Sequence, residues 1–283
     1  MMTFALKRRV YESLPRWLLA PVGWVPFPLL AGRHYRDILR RGQQMDRATR
    51  SDIRTWQEAA LGRMLRYACD QVPAYRRYRG LVDRLRPTEA LKGFPLLEKS
   101  QIQADLAKYL PEAFHRIPHY ECTTGGTSGS QLRFYVDDHS QAVETAFMHR
   151  QWSRVGYTTR CRKATFRGVN FGRLRPGVYW QRNPVYNELQ FSPYHMNEAT
   201  LGNYWDALVE YRPAFIHGYP SAVDLLAEYA LRHALPTDSL RLRAVLLGSE
   251  GLLPGQRERI ENAFHTRAYT WYGHSERLIL AGE

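Results

Sequence analysis

The sequence predicts an α/β fold in which a mostly parallel sheet is flanked by helices and preceded by a mainly helical N-terminal region. Two patterns lead to this prediction. From residue 197 onward, helical patterns alternate with short apolar runs, and such alternation builds parallel sheets through right-handed crossovers. In the first third of the chain, apolar residues recur at helical spacing and prolines end the repeats.

The N-terminal region is the least regular part. A basic start, Lys7-Arg8-Arg9, precedes apolar residues 14–30, which include several prolines. The apolar stretch is too short and too broken for a membrane-spanning helix. We therefore expect an irregular segment packed on the core, with peripheral membrane contact as the minority alternative.

Two helices are predicted in this region. Ser51 is placed as the N-cap of a helix that Pro73 ends, and Ser100-Gln101-Ile102-Gln103 has the form of a capping box that opens a helix before Pro111. We place a mainly helical region at 1–115 and an α/β nucleotide-binding core at 116–283, within one large domain overall.

The last third supplies the strands of the predicted sheet. Helices are expected from Asn197, Ser221 and Pro254, each starting at a capping residue or proline. Strands are expected at 214–217, 242–247 and 268–271, and short strands with substantial loops at 160–195. A further helix is expected at about 140–154.

Composition narrows the class of protein. The chain has 283 residues, a mass of 33.0 kDa and 44% hydrophobic residues, which is sufficient for a sizeable core. Its net charge of +13, carried mostly by arginine, favours anionic partners. Cys69, Cys122 and Cys161 are widely spaced and form neither a disulfide framework nor a zinc motif. A reducing, cytoplasmic setting is the expectation.

A stretch rich in glycine and hydroxyl groups lies between two predicted strands. Its residues are Thr124, Gly125, Gly126, Thr127, Ser128, Gly129 and Ser130. Glycine lets amide groups approach an anion closely, and hydroxyl groups add donors that can rotate toward phosphate oxygens. Neither a P-loop nor a G-x-G-x-x-G motif is present. By itself this composition favours a polar hairpin or linker, and the decision for a phosphate loop depends on motifs further along the chain.

Three further loops follow predicted strands and therefore fall at the carboxyl edge of the sheet, where open α/β sheets bind ligands. They are His217-Gly218-Tyr219, Gly248-Ser249-Glu250 and Tyr272-Gly273-His274-Ser275-Glu276. The sequence Gly-Tyr-Pro-Ser-Ala around Ser221 lacks the second glycine of a nucleophile elbow, so Ser221 is predicted to cap a helix.

Together these motifs resemble those of AMP-forming adenylating enzymes. Residues 124–129 resemble the phosphate loop, and residues 272–276 the aromatic-Gly-x-Thr/Ser-Glu motif of that superfamily. The chain is most similar to the phenylacetate–CoA ligase branch and its capsular polysaccharide biosynthesis (CapK-like) proteins. Further matching pieces, in family order, are Phe94–Lys99, His217–Ser221 and Leu247–Glu250.

The resemblance implies the fold of the adenylate-forming N-terminal domain, and it implies roles for particular residues. Residues 124–130 would hold the β- and γ-phosphates of ATP, and Glu276 would act in catalysis and bind Mg²⁺. The remaining nucleotide contacts would come from Gly248, Ser249, Glu250, Tyr272, Gly273, His274 and Ser275. The substrate pocket would include Asn170, Phe171, Gly172, His217, Gly218 and Tyr219.

The implied reaction is attack of a small-molecule carboxylate on the α-phosphorus of ATP, which gives acyl-AMP and pyrophosphate. Catalysis would rest on positioning and charge neutralisation. CoA, a sugar amine or another nucleophile could accept the acyl group. The sequence leaves open both the acyl substrate and the oligomeric state.

The chain departs from the family pattern in two places. Gln131 and Leu132 stand where the phosphate loop usually continues with Pro and Lys. The family's ribose-binding Asp, hinge and C-terminal lid with its catalytic Lys would lie beyond Glu283. We therefore expect the large N-terminal domain alone, with little turnover by itself.

An alternative is a non-catalytic family member that binds nucleotide or serves as an assembly partner in capsular or exopolysaccharide biosynthesis. A specific nucleic-acid binder is disfavoured, because basic residues are dispersed along the chain and no recognition motif is present.

Overall fold

The short strands of the second half of the chain pair into a seven-stranded sheet with the order β4-β5-β3-β6-β7-β8-β9. The computed structural model describes residues 21–124, 131–168, 177–278 and 280–283, together with Leu19 and Phe171. The strands of this sheet are β3 (Lys163–Phe166), β4 (Trp180–Asn183), β5 (Glu188–Phe191), β6 (Phe215–Gly218), β7 (Ala244–Gly248), β8 (Ala268–Gly273) and β9 (Leu280–Gly282). A separate antiparallel pair consists of β1 (His119–Thr123) and β2 (Arg133–Asp137).

The described helices are numbered in chain order. They are α1 (Phe27–Leu30), α2 (Gly32–Met45), α3 (Arg50–Gln71), α4 (Arg79–Arg84), α5 (Pro87–Leu91), α6 (Lys99–Ala104), α7 (Ser140–Ser153), α8 (Leu201–Tyr211), α9 (Pro220–Arg232) and α10 (Gln256–Phe264). None of the described helices is long and apolar enough to cross a membrane.

The chain divides into two units, and each has its own core. Unit 1 contains residues 40–140, and unit 2 contains residues 141–283 with the described residues up to 39. The boundary falls within α2 and at the start of α7. The expected division at 115/116 stays a prediction.

Unit 1 is built around α3. Thr49 caps this helix, since its side chain accepts from the Asp52 amide and the Asp52 carboxylate accepts from the Thr49 amide. The predicted cap at Ser51 was two residues late. Leu65 and Cys69 face the core, whereas Met64 is 61% exposed.

The rest of unit 1 is short helices and the β1–β2 pair. Helix α6 begins after Glu98, which forms the capping box with Gln101, and a 3₁₀ turn follows over Leu106–Tyr109. The single longer helix predicted from Ser100 is therefore broken after Ala104. The β1–β2 pair confirms that strands flank the glycine-rich stretch.

In unit 2, strands β3, β5, β6, β7 and β8 run parallel, as predicted. Strand β4 pairs antiparallel with β5, and β9 pairs antiparallel with β8. Strand β9 was not predicted. The α8 and α9 helices begin after Thr200 and Tyr219, so neither Asn197 nor Ser221 is an N-cap.

The two faces of the sheet differ in character. One face packs Phe166, Phe191, Ile216 and Leu247 against helices α8, α9 and α10 in the main apolar core. The other face carries polar residues among its apolar ones because Lys163, Thr165 and His217 occupy alternate positions along β3 and β6. All three are buried.

A buried ion pair begins this polar row. Lys163 Nζ lies 3.1 Å from Glu188 Oε2, and the two side chains are only 5% and 7% exposed. The carboxylate also accepts hydrogen bonds from Thr165, Asn183 and Gln190. Burial alone would lower the pKa of Lys163, but the Glu188 carboxylate raises it above its ordinary value. Lys163 is therefore charged in the fold.

Helix α7 contributes His149 and Trp152 to the same face of unit 2. Tyr35 Oη lies 2.8 Å from His149 Nδ1, and the Lys163 ammonium lies 5.4 Å from the Trp152 ring centroid. Burial, reinforced by the Lys163 charge, lowers the pKa of His149 to about 3. His149 is therefore neutral at physiological pH.

The Glu188→Gln substitution tests this network. It keeps the shape of the side chain but leaves the buried Lys163 ammonium without its counter-charge, so we expect a loss of about 3–5 kcal/mol in the free energy of unfolding. Urea denaturation at pH 7 measures the loss. Glu198→Gln is the matched control, because Glu198 is 57% exposed and pairs with Arg232 on the surface, and it should cost about 1 kcal/mol or less. Equal losses in the two variants would contradict the account.

Candidate functional site

The three strand-end loops that the sequence predicts to carry function lie at one edge of the unit 2 sheet. Strands β6, β7 and β8 are parallel neighbours and end at Gly218, Gly248 and Gly273. Tyr219, Ser249 and His274 follow them directly. The structure thus brings this part of the predicted site together.

Arg167 is the centre of this carboxyl edge, and it was not predicted as a site residue. It follows the last residue of β3, and its guanidinium reaches His217 on the neighbouring strand β6 and Ser249 in the loop after β7. One nitrogen, Nη2, donates to Ser249 Oγ at 2.7 Å, and the other, Nη1, lies 3.3 Å from His217 Nε2. Arg167 therefore links the ends of β3, β6 and β7 through side chains.

The partners of His217 define its tautomer. Nδ1 lies 2.9 Å from the Leu246 carbonyl oxygen, which can only accept, so the proton is on Nδ1. Nε2 is then free to accept from Arg167. Burial, followed by the charge of Arg167, lowers the pKa of His217 well below its ordinary value. His217 orients the guanidinium as a neutral acceptor.

Two aromatic side chains flank the guanidinium. Its central carbon lies 5.7 Å from the Tyr219 ring centroid and 5.9 Å from that of Trp271. The face of an aromatic ring attracts a cation, so both rings hold Arg167 at this edge. Among the described residues, the buried Trp271 Nε1 has no hydrogen-bond partner.

Gly248 is required for this arrangement. A Cβ atom at position 248 would lie 2.2 Å from Trp271 Nε1, which is a severe overlap. The expected close approach at Gly248 is therefore made by the Trp271 indole. The role of Gly248 toward a nucleotide base stays a prediction.

The chain turns after Gly273 into the segment that carries Glu276. His274 Nδ1 lies 3.0 Å from Glu276 Oε2, and Arg277 Nε lies 3.3 Å from the carboxylate of Glu144 on α7. Burial raises the pKa of Glu144, while Arg277, Arg167 and His274 oppose that rise. The Glu144 carboxylate thus lies within the electrostatic reach of Arg277, Arg167 and His274.

The remaining residues of the predicted site are less informative. Glu250 accepts a hydrogen bond from the Ser221 amide at 3.1 Å and so ties the β7 loop to the start of α9. Tyr272 is 65% exposed. Ser275 is exposed, and Phe171 is partly buried. Residues 125–130, Asn170 and Gly172 lie outside the described residues.

Thr124 and Leu132 lie in unit 1, on either side of residues 125–130. The Thr124 amide donates to the Leu132 carbonyl, and the Leu132 amide donates to Thr124 Oγ1, both at 3.0 Å. Gln131 accepts through its carbonyl from the Gln103 side chain. These bonds extend the β1–β2 pair by one step beyond Thr123 and Arg133.

The described residues contain no group of three or more His, Cys, Asp or Glu side chains arranged to hold a metal ion. Mg²⁺ is commonly bound by one or two protein carboxylates together with ligand phosphates. Glu276 is the residue predicted for that role.

No protein-family model matches the chain, and no curated protein matches it significantly. Among solved structures, it is similar to 2-hydroxyisobutyryl-CoA ligase in an open conformation with 2-HIB-AMP and CoA. That match has a TM-score of 0.53 and 18% identity over 76% of this chain and 53% of the ligase chain. The same ligase in its thioesterification state matches with a TM-score of 0.56 and 18% identity, over 78% and 49% of the two chains.

This likeness confirms the predicted fold class, a mixed α/β architecture of the kind found in adenylate-forming enzymes. The chain spans about half the length of these ligases. The neighbours are acyl-CoA ligases, and the assignment to the phenylacetate–CoA ligase and CapK-like branch stays a prediction.

Arg167→Ala tests the electrostatic coupling within this edge. Removing the guanidinium removes a positive charge beside His217, so the pKa of His217 should rise toward its ordinary value. An NMR titration of the His217 imidazole measures this change.

Arg167→Lys is the matched control, because it keeps the charge and should leave the pKa of His217 closer to that of the native protein. A pKa of His217 that is the same in the alanine variant as in the native protein would show that Arg167 does not act on it.

Proposed function

We propose that this chain binds ATP at the carboxyl edge of the unit 2 sheet and activates a carboxylate as its acyl-AMP. The carboxylate oxygen would form a bond to the α-phosphorus, and the bond from that phosphorus to the bridging oxygen of the β-phosphate would break, releasing pyrophosphate. The proposal combines the edge geometry, the predicted motifs and the fold shared with acyl-CoA ligases.

The observation that carries the proposal is the excess of hydrogen-bond donors at this edge. The Arg167 guanidinium has five N–H groups, and its bonds to His217 and Ser249 leave donors over. The Trp271 ring lies beside the same guanidinium, with its centroid 5.9 Å from the guanidinium carbon. A ligand rich in anionic oxygens would satisfy these donors.

Arg167 would therefore bind the α-phosphate or the substrate carboxylate. The rigid guanidinium pairs with two oxygens at once, and His217, Ser249, Tyr219 and Trp271 hold it in place before any ligand arrives. Such preorganisation favours charge that develops during the reaction.

The roles of the other residues follow the predicted motifs. Tyr272, which is largely exposed, would lie against the adenine, and Ser249 and Glu250 would border it. Glu276 would hold Mg²⁺, which neutralises the phosphates of bound ATP. Residues 124–130 would donate to the β- and γ-phosphates. The substrate pocket would include residues 170–172, and CoA is the proposed acyl acceptor.

A second candidate function is nucleotide binding without catalysis, as an assembly partner in capsular or exopolysaccharide biosynthesis. The observation in its favour is at Leu132, where the family usually has Lys. The Leu132 backbone is hydrogen-bonded to Thr124 in the continuation of the β1–β2 pair, and its side chain carries no charge. The two candidates share the ATP site and differ in turnover.

Glu276→Ala tests the ATP site. Isothermal titration calorimetry with ATP and Mg²⁺ should show binding to the native protein and about tenfold weaker binding to the variant, which corresponds to about 1.4 kcal/mol. With EDTA in place of Mg²⁺ the difference should disappear, because the carboxylate then has no metal to hold.

Glu210→Ala is the matched control, since Glu210 is an exposed carboxylate on α8. It should bind ATP and Mg²⁺ as the native protein does. Equal affinities for all three proteins, or no binding to any, would remove the proposed site.

Exchange of labelled pyrophosphate into ATP separates the two candidate functions. Exchange that depends on an added carboxylic acid supports acyl-AMP formation. ATP binding without exchange, across a panel of aliphatic and aromatic acids, supports the non-catalytic candidate.

A further inference from the structure

The amino edge of the unit 2 sheet, opposite the edge that carries Arg167, contains a cavity lined by arginine. Its volume is about 600 Å³, and its lining includes Arg162, Arg212, Arg241 and Arg243. Pro213, Ala214 and Leu240 supply apolar surface, and Ser239 supplies a hydroxyl group. No motif in the sequence pointed to this edge.

Backbone hydrogen bonds hold two of the arginines on either side of Ala214, one at the start of each strand that flanks β6. The Ala214 amide donates to the Arg162 carbonyl at 2.8 Å, and the Arg243 amide donates to the Ala214 carbonyl at 2.9 Å. These bonds continue the parallel ladders of β3, β6 and β7 by one step. Because neighbouring strands are about 4.8 Å apart, the backbones of Arg162 and Arg243 lie about 10 Å from each other.

The other two arginines are held by tight turns. Arg212 ends helix α8 and Arg241 ends the 3₁₀ turn Thr237–Leu240, both in the left-handed conformation, with φ of 49° and 47°. In both turns the residue in this conformation is an arginine that lines the cavity.

None of the four arginines forms an ion pair with a carboxylate in the described part of the chain. Arg162 lies 5.8 Å from the Tyr211 ring centroid, and Arg243 Nη1 donates to the Gly156 carbonyl at 3.5 Å. The neighbouring Asp238 is 90% exposed and lies 3.6 Å from His265.

Two other arginines of unit 2, unlike these four, are paired with carboxylates. Arg257 pairs with Glu283, and Arg259 binds Asp224 through two hydrogen bonds. Four like charges around one cavity repel one another, and a bound anion removes that repulsion. The cavity therefore has the charge of an anion site.

From this geometry we propose that the cavity binds a small molecule that carries two or more phosphate groups. Guanidinium groups bind phosphate oxygens in pairs, and four of them surround a space within the usual range for small-ligand pockets. The site is concave and bordered by Pro213 and Leu240, which fits a compact polyphosphate. An extended nucleic acid instead binds along a continuous positively charged groove. The site is separate from the ATP site proposed at the carboxyl edge.

Inorganic tripolyphosphate is the probe, titrated by calorimetry in EDTA at low salt. The double variant Arg162→Gln/Arg243→Gln should bind it about 10- to 100-fold more weakly than the native protein, as expected for the loss of two charged hydrogen-bonding groups. Both side chains are exposed, so folding should be retained, and circular dichroism checks this.

Two controls isolate the cavity. Arg54→Gln/Arg63→Gln removes the same charge from exposed positions on α3 and should bind tripolyphosphate as the native protein does. The titration is repeated in the Arg167→Ala protein, where the tripolyphosphate binding that remains belongs to the cavity and should weaken about 10- to 100-fold when Arg162→Gln/Arg243→Gln is added. This result would support the cavity even if ATP binding at the other edge were absent.

Three results would overturn the proposal. One is no binding of tripolyphosphate to the native protein at low salt. Another is an equal loss in the α3 control, which would indicate non-specific attraction to net charge. The third is a single-stranded RNA oligonucleotide that binds more tightly than tripolyphosphate and is weakened by the same cavity substitutions, which would make this edge a nucleic-acid surface.

Discussion

The parallel hydrogen bonding of β3, β6, β7 and β8 is the constraint on which both candidate sites depend. Because these four strands point the same way, the residues that follow them meet at one edge and the residues that precede them meet at the other. Arg167 is placed at the first edge and Arg243 at the second by the same ladder. Arg167 at one edge, and Arg162 and Arg243 at the other, are therefore placed without a long loop.

Two glycines let the strands pack as closely as this arrangement needs. A Cβ atom at Gly218 would lie 2.9 Å from the Phe166 carbonyl oxygen, and one at Gly248 would overlap the Trp271 indole. Both glycines end strands at the carboxyl edge. They make room for the tight contacts between β3 and β6 and between β7 and β8. Arg167 contacts His217 and Ser249, which are next to these glycines in the sequence.

The polar face of the unit 2 sheet connects its stability to its function. Lys163 and Glu188 form a buried pair at the beginning of β3 and β5, and His217 is buried near the end of β6. Breaking one partner of such a pair is costly because the other charge stays buried. The same low-polarity surroundings that make this network costly to break also keep His217 neutral, and a neutral His217 can accept from Arg167.

Much of the fold follows from patterns in the sequence. Apolar runs at 214–217, 242–247 and 268–271 identified β6, β7 and β8, and their alternation with helices identified the parallel sheet. The first residues of helices were harder to predict. Both Thr49 and Ser51 are residue types that cap helices, and the hydrogen bonds with Asp52 show that Thr49 is the cap. Strand β9 is three residues long and exists through its pairing with β8.

The candidate site was recognised only where residues cluster in sequence. His217, Ser249 and Glu276 belong to short motifs, whereas Arg167 is a single arginine in an arginine-rich chain. Its importance depends on three contacts with residues 50 to 104 positions away, Ser249, His217 and Trp271. The cavity at the amino edge depends likewise on spatial grouping.

The most direct test of the carboxyl-edge site is the NMR signal of the Trp271 indole N–H, assigned with Trp271→Phe, during a titration with AMP and, separately, with adenosine. The Trp271 ring centroid lies 5.9 Å from the guanidinium carbon of Arg167, so an anion bound by Arg167 changes the surroundings of this N–H. If this edge binds the adenylate anion, AMP should shift the signal and adenosine should shift it much less. An unchanged Trp271 signal at saturating AMP, or equal shifts with both ligands, would contradict the account.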